Sequence, residues 1–405
     1  LISTFFMIII PVFLSRTVAG IPEKESIGFF FMFLAFYLFL KAWKTEKLRG
    51  ALILGVLAGI ATALMGLSWG GVSYAYVTVA ISSFVAFILN KVHKKEFVLY
   101  GAWLIVALTT TLIFTNRFSI KGFVSSLDTG LAFLVFFVMI AHFLIWKTKI
   151  SKVRQIERIK LPKNITSIVI AIVLGMILLS IIFGPGFILG KIKDINQIMF
   201  KPVTGRWSMT VAENRQPYFT EWGASFGPFI KGIPIMFWLF FIGSILLFKQ
   251  MLSKIKKNDA LILTGLFIMF LFGMIFSRYA PHPSVMDGEG IASKLFYYGS
   301  ALALICGFIY YYLKYHKENN KSLENTEFAF LFLFALFILC LFTARSAVRL
   351  IMVLGPIAPI FVAYLCVSSV EKFRKTKDET GKVIIGALAV LVIVLALFSG
   401  YTFYK

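Results

Sequence analysis

The amino-acid sequence predicts an all-α polytopic integral membrane protein. Three observations carry that prediction. Hydrophobic residues make up 59% of the 405 positions, well above the roughly half found in water-soluble domains. Apolar runs of helix length alternate with short connectors rich in Lys and Arg. Every Asp and Glu falls in a connector or at the end of a run, which suits a chain that keeps carboxylates out of hydrocarbon.

About twenty apolar residues cross a bilayer core as a helix. On that measure the runs are Leu1 to Leu14, Ile27 to Trp43, Ala51 to Met65, Val72 to Leu89, Phe97 to Phe114, Leu131 to Trp146 and Ile165 to Leu189. After a long polar segment come Ile230 to Phe248, Leu261 to Phe276, Leu295 to Tyr315, Phe328 to Phe342, Leu350 to Val370 and Val383 to Phe403. The expectation is therefore about 13 transmembrane helices. Leu1 to Leu14 is short for a span and has no basic flank before it, so it reads as a piece lacking its natural start rather than as a signal peptide.

The connectors fix the orientation. Assigning Lys41 to Arg49, Lys91 to Glu96, Lys147 to Lys163, Lys249 to Lys257, Lys314 to Glu327 and Glu371 to Lys382 to the inner side places 26 of the 41 Lys and Arg there, as the positive-inside rule requires. The net charge of +23 is thereby explained. Nucleic-acid binding, which would need a basic water-exposed module, is excluded. The outer loops then carry Glu23, Glu25, Asp128, Asp194, Glu213, Glu221, Asp287 and Glu289. Cys306, Cys340 and Cys366 lie inside apolar runs without metal-ligand spacing, and the four histidines are scattered.

The polar segment from Gly184 to Gly227 is out of keeping with the rest of the chain, and connectors of that length are usually functional or disordered. Its aromatics, Trp207, Tyr218, Phe219, Trp222 and Phe226, need something to pack against, so a folded functional loop is expected over 191–227. Glu213 stands near its middle. In the first outer loop, Glu23 and Glu25 are spaced so that both can approach one hard divalent cation. A Pro-Glu-Lys-Glu turn leading into a helix suits the positive helix start equally well. Asp287-Gly288-Glu289 is a competing carboxylate pair, with a tight turn as its plain alternative. Gly66-Leu67-Ser68-Trp69-Gly70 fits the GxSxG pattern of serine hydrolases, but it follows no strand and is rejected as a nucleophile elbow. Arg345 and Arg349 are four apart, on one face if helical. They suit either a fixed charge for a phosphate or snorkelling to the interface.

Three of these stretches together resemble the catalytic subunit of oligosaccharyltransferase. Ser15-Arg16-Thr17-Val18-Ala19-Gly20, with the acidic pair Glu23 and Glu25 after it, is similar to that family's Ser-Arg-Ser/Thr-Val/Ala-Ala-Gly segment. Thr210-Val211-Ala212-Glu213, with Gln216-Pro217 after it, is similar to its Ser/Thr-Val-x-Glu motif in a long external loop. Val348-Arg349-Leu350 opens a stretch running to Pro356 that resembles its Val-Arg-Leu helix, and Trp69-Gly70-Gly71 resembles a shared Trp-Gly-Gly.

The resemblance implies a GT-C membrane fold. It implies Mg2+ or Mn2+ held by Glu23 and Glu213 with Glu25 beside them, a lipid-linked phosphate met by Arg349, and Arg16 and Arg345 as supporting cations. The implied donor is an oligosaccharide on a dolichyl-type phosphate, and the acceptor is asparagine in an Asn-x-Ser/Thr site of a protein. The implied setting is the external face of a prokaryotic, archaeal-type cell membrane. Set beside the family pattern, Leu1 is expected to fall at the third span, with the family's first Asp-containing loop upstream of it. The family's soluble Trp-Trp-Asp domain is expected downstream of Lys405, and a hairpin over 261–315 stands outside the pattern. Two other functions fit a chain of many spans: a transporter or flippase for a lipid-linked sugar, and a GT-C glycosyltransferase with a non-protein acceptor. Loop-confined carboxylates favour an enzyme, since transporters place ionisable or helix-breaking residues at mid-membrane.

Overall fold

The apolar runs become helices that begin where a polar residue or a proline leaves free N–H groups and end at connectors. A computed structural model describes residues 1–17, 20, 23–116, 118–147, 162–200 and 211–404. In chain order the α-helices are α1 (Ile2–Met7), α2 (Pro11–Leu14), α3 (Lys24–Lys44), α4 (Leu48–Ser68), α5 (Ser73–Ile88), α6 (Lys94–Phe114), α7 (Ile120–Ser125) and α8 (Leu127–Lys147). Then follow α9 (Lys163–Phe183), α10 (Phe187–Phe200), α11 (Phe219–Phe226), α12 (Ile235–Met251), α13 (Lys257–Phe276), α14 (Ile291–Lys317), α15 (Phe328–Ser346), α16 (Ala358–Lys375) and α17 (Glu379–Tyr404).

Among the described residues ten helices are long and apolar enough to cross a membrane, or eleven if a bent pair counts as one span. The expected thirteen therefore fall short, for reasons that lie with proline. Leu1 to Leu14 is not one helix: Ile10 is extended, and Pro11, with no N–H to donate, opens a second short helix. The run from Ile230 starts late. Ile230 and Ile233 pair across a tight turn, and the helix begins only after Pro234, which leaves 17 residues in α12. Leu350 to Val370 is a 3-10 turn, Val348–Leu354, followed by α16 at a bend of 45°, with Pro356 at the break. The loop expected over 191–227 is partly helical, in α10 and α11. Residues 201–210, with Trp207 and Thr210, lie outside the described residues, as does most of the Lys147 to Lys163 connector.

The chain divides into two compact units. The first comprises Leu1–Ile21, Lys201–Thr326 and Cys340–Lys405. Its helices meet at glycines, where the missing side chain lets backbones approach. A Cβ at Gly243 of α12 would lie 2.2 Å from the Phe361 carbonyl oxygen of α16, and one at Gly273 of α13 would lie 2.8 Å from that of Phe296 in α14. Phe248 and Phe267 stack at 3.9 Å between α12 and α13. The base of the α13–α14 hairpin is tied by Asp259, which accepts from Lys314 Nζ at 3.1 Å and from the Tyr315 hydroxyl at 2.8 Å.

The second unit comprises Pro22–Phe200 and Glu327–Leu339. α4 packs on α3 and α6, and a Cβ at Gly59 would lie 2.7 Å from the Trp103 carbonyl oxygen. Trp103 is fully buried, and its indole N–H donates to Thr62 Oγ1 at 3.0 Å. That bond satisfies the one polar atom such a core ring carries. Long apolar side chains such as Ile181 (74% exposed) lie on the outside of this unit, where a bilayer would cover them.

Candidate functional site

Glu213 sits on a 3-10 turn, Ala212–Asn214, in the first unit. Its Oε2 accepts from Arg16 Nη2 at 3.0 Å; Oε1 accepts no hydrogen bond among the described residues. The pair is partly open to solvent, at 20% exposure for Arg16 and 54% for Glu213. Its contribution to stability is therefore at most about 1 kcal/mol, and its effect is to orient the carboxylate. Two residues on, the Arg215 carbonyl accepts from the Val348 N–H at 2.9 Å. That bond joins the Glu213 turn to the 3-10 turn bearing Arg349, which is exposed. Parts of all three sequence stretches, Arg16, Glu213 and Val348-Arg349, thus meet in one unit.

What holds the loop C-terminal to Glu213 is a buried arrangement around Gln216. Its Oε1 accepts from Arg345 Nη1 at 3.1 Å and lies 3.4 Å from Arg278 Nη1. Both arginines are buried, and Arg278 lies over the Tyr218 ring at 4.4 Å from its centre. Tyr218 in turn opens α11, where its N–H donates to Glu221 Oε2 at 2.7 Å and Arg215 pairs with Glu221. Phe219 stacks on Tyr279 and meets Phe237 edge-on, anchoring the other end. A buried guanidinium deprived of its acceptor is costly. We expect Gln216→Leu to lower stability by about 2 kcal/mol and to reduce function at the Glu213 turn. Gln216→Glu, which places a carboxylate between two cations, should hold or raise the thermal midpoint in detergent.

Arg345 and Arg349 do not share a helix face. α15 ends at Ser346, and Ala347 is extended at φ −155° and ψ 138° before the 3-10 turn starts. Arg345 turns inward and Arg349 outward. The competing carboxylates are also accounted for. Asp287 Oδ1 accepts from the N–H groups of Glu289 and Gly290, each at 2.8 Å. Those backbone donors, Gly290 first, hold its carboxyl below the usual carboxylate range. A group shifted this way supports its turn above the ordinary carboxylate range and withdraws that support as the pH falls through the lowered value. Glu289 lies 3.6 Å from Arg278. Arg278 had no place among the sequence-derived candidates; the one signal for it was a lone basic residue at an outer span end, against the inner bias.

In the second unit, Glu23 precedes α3 and Glu25 lies fully buried in its first turn, where the helix N-terminus favours negative charge. Gly28, one turn on, meets Trp69: a Cβ there would lie 2.8 Å from the indole. Phe29 packs on the same ring at 5.3 Å. The helix that the acidic pair opens thus packs on Trp69 of Trp69-Gly70-Gly71. Asp128 accepts from Ser73 and Ser126 and from the Thr129 N–H. Among the described residues, no three His, Cys, Asp or Glu side chains gather as a metal-binding cluster.

Residues 1–277 match the profile of the family described as Oligosaccharyl transferase STT3, N-terminal. The chain belongs to the STT3 family. Its fold is also that of a solved structure, the archaeal oligosaccharyltransferase AglB from Archaeoglobus fulgidus in complex with an inhibitory peptide and a dolichol-phosphate. The TM-score is 0.56 at 16% sequence identity, over 99% of this chain and 40% of that one. The likeness supports the GT-C membrane architecture expected of an STT3 protein. This STT3 chain spans 40% of the length of the AglB chain.

Proposed function

We propose that this chain is the membrane part of an oligosaccharyltransferase. It would move an oligosaccharide from a dolichyl-type phosphate carrier to asparagine in an Asn-x-Ser/Thr site, on the external face of an archaeal-type cell membrane. The observation that carries the reading is the junction of Arg16, Glu213 and the Val348-Arg349 turn in one unit. An exposed carboxylate, oriented by one arginine, sits on a turn whose backbone is bonded to the turn that bears the exposed Arg349.

The chemistry asks for that pairing. An amide nitrogen is a poor nucleophile because its lone pair is delocalised into the carbonyl. In this reading Glu213 accepts an amide hydrogen of the acceptor asparagine and loosens that delocalisation. The nitrogen then attacks the anomeric carbon, the C–N bond forms, and the C–O bond to the carrier phosphate breaks. Arg349 holds the departing phosphate in planar, two-pronged fashion. The exposed Glu213 carboxylate is an oxygen donor of the kind hard divalent cations take, and would be this unit's ligand to Mg2+ or Mn2+. When bound, such an ion would supply positive charge to offset that of the departing phosphate.

The test is transfer of a lipid-linked oligosaccharide to an Asn-x-Thr peptide by the full-length protein. Arg349→Lys should keep part of the donor use and Arg349→Ala lose most of it, since lysine retains the charge without the fork. Normal use of the donor by the Ala variant, at equal protein level, would leave Arg349 with snorkelling alone.

A further inference from the structure

The α12–α13 pair has two polar ends. One packs against Phe219, six residues after Glu213. The other, where α12 ends and α13 begins, opens into a cavity of about 480 Å³ that also takes in the end of α16 and the start of α17. That volume lies in the range of small-molecule sites, roughly 300–1,000 Å³. Lys249, Lys257 and Lys372 line it, and Leu246, Leu252 and Leu388 form part of its apolar wall.

The lysines have a plain role available, since cations near the ends of α12 and α16 complement the helix dipoles. That role does not explain why three of them surround one hollow with no carboxylate in its lining. The nearby acids are already engaged: Asp259 by Lys314, Glu318 by Lys256 and Glu371 by Lys375. Lys249, Lys257 and Lys372 have no ion-pair partner among the described residues. The hollow thus offers uncompensated positive charge beside apolar side chains, at the end of the unit where the basic connectors gather.

We propose that this cavity holds the phosphate headgroup of an anionic membrane lipid, with the lysines on the phosphate and an acyl chain along the leucine wall. Basic pockets between membrane helices on the inner side suit such headgroups. A free phosphate would leave the leucine wall wet; a zwitterionic lipid would leave the lysine charge uncompensated. The site is separate from the Glu213 turn and does not depend on its proposed chemistry.

The test is native mass spectrometry of the delipidated full-length protein, titrated with phosphatidylglycerol or with phosphatidylcholine of the same acyl chains. At about 1 kcal/mol per lysine near a phosphate, the triple variant Lys249→Gln, Lys257→Gln, Lys372→Gln should bind phosphatidylglycerol about 100-fold more weakly. A control triple, Lys254→Gln, Lys317→Gln, Lys321→Gln, removes equal charge from exposed positions outside the cavity and should bind as the wild type does. Thermal midpoints of both variants check that they fold. Equal affinity for the two lipids, or unchanged binding by the cavity variant, overturns the proposal. Displacement of the lipid by millimolar inorganic phosphate would assign the hollow to a free anion and overturn it as well.

Discussion

Replacing Glu213 by glutamine in the full-length protein is expected to lower oligosaccharide transfer by about 10²–10³-fold, the scale on which loss of one aligned electrostatic group acts. The change is isosteric and removes only charge. Glu213 is more than half exposed and its one described ion pair, to Arg16, is worth little to the fold, so the thermal midpoint should stay within a degree or two of wild type. Initial rates of peptide glycosylation, measured beside that midpoint, separate the two effects. Transfer within about threefold of wild type would remove Glu213 from the chemistry. The role would then pass to another outer carboxylate such as Glu23 or the exposed Glu289, since Asp287 is engaged by two backbone N–H groups.

The largest effect on stability is expected at Gly243. A Cβ there would stand 2.2 Å from the Phe361 carbonyl oxygen and 2.7 Å from its carbon, both backbone atoms of a helix that cannot rotate out of the way. Gly243→Val must push α12 and α16 apart and forfeit contacts along their whole crossing, at a cost of about 3 kcal/mol or more. Gly243→Ala should fall between. Gly265 on α13 provides the control, since nothing lies within 4 Å of a Cβ there and alanine is the better helix former by about 1 kcal/mol. Unfolding in mixed micelles reads the series. Equal stability of the Val variant and the wild type would mean that the α12–α16 crossing is looser than this geometry.

Much of the helix pattern was legible because a bilayer imposes one length and one polarity on every span. Ile27 to Trp43, Ala51 to Met65 and Phe97 to Phe114 each fall inside an observed helix. Hydropathy averages over single residues, which is why Pro11, Pro234 and Pro356 were invisible to it; each redirects the backbone without making its run less apolar. The same holds at the candidate site. Arg16, Glu213 and Arg349 stood out as charges in outer loops, but their spacing carried no information on how the loops approach. The Arg345–Arg349 spacing promised a common face and gave none, because Ala347 breaks the helix between them. Gln216 was quoted only as part of a motif. Its work, joining two buried guanidiniums from α15 and the segment after α13, arises from tertiary packing alone.

The contact order of the Glu213 turn sets a schedule for its assembly. Arg16 and Glu213 are 197 residues apart, and the backbone anchor at Val348 is made more than a hundred residues later still. At synthesis rates of about 5–20 residues per second, the interval from the first of these residues to the last is roughly 15 to 60 s. For the last 135 residues of it (348 − 213), roughly 7 to 27 s, a nascent chain entering the membrane exposes Glu213 without the backbone hydrogen bond from Val348 that will fix its turn. The turn is completed only when α15 has emerged, so ribosome-stalled or truncated chains ending before Val348 should present the loop unanchored, a state that limited proteolysis on arrested chains can distinguish from the finished one.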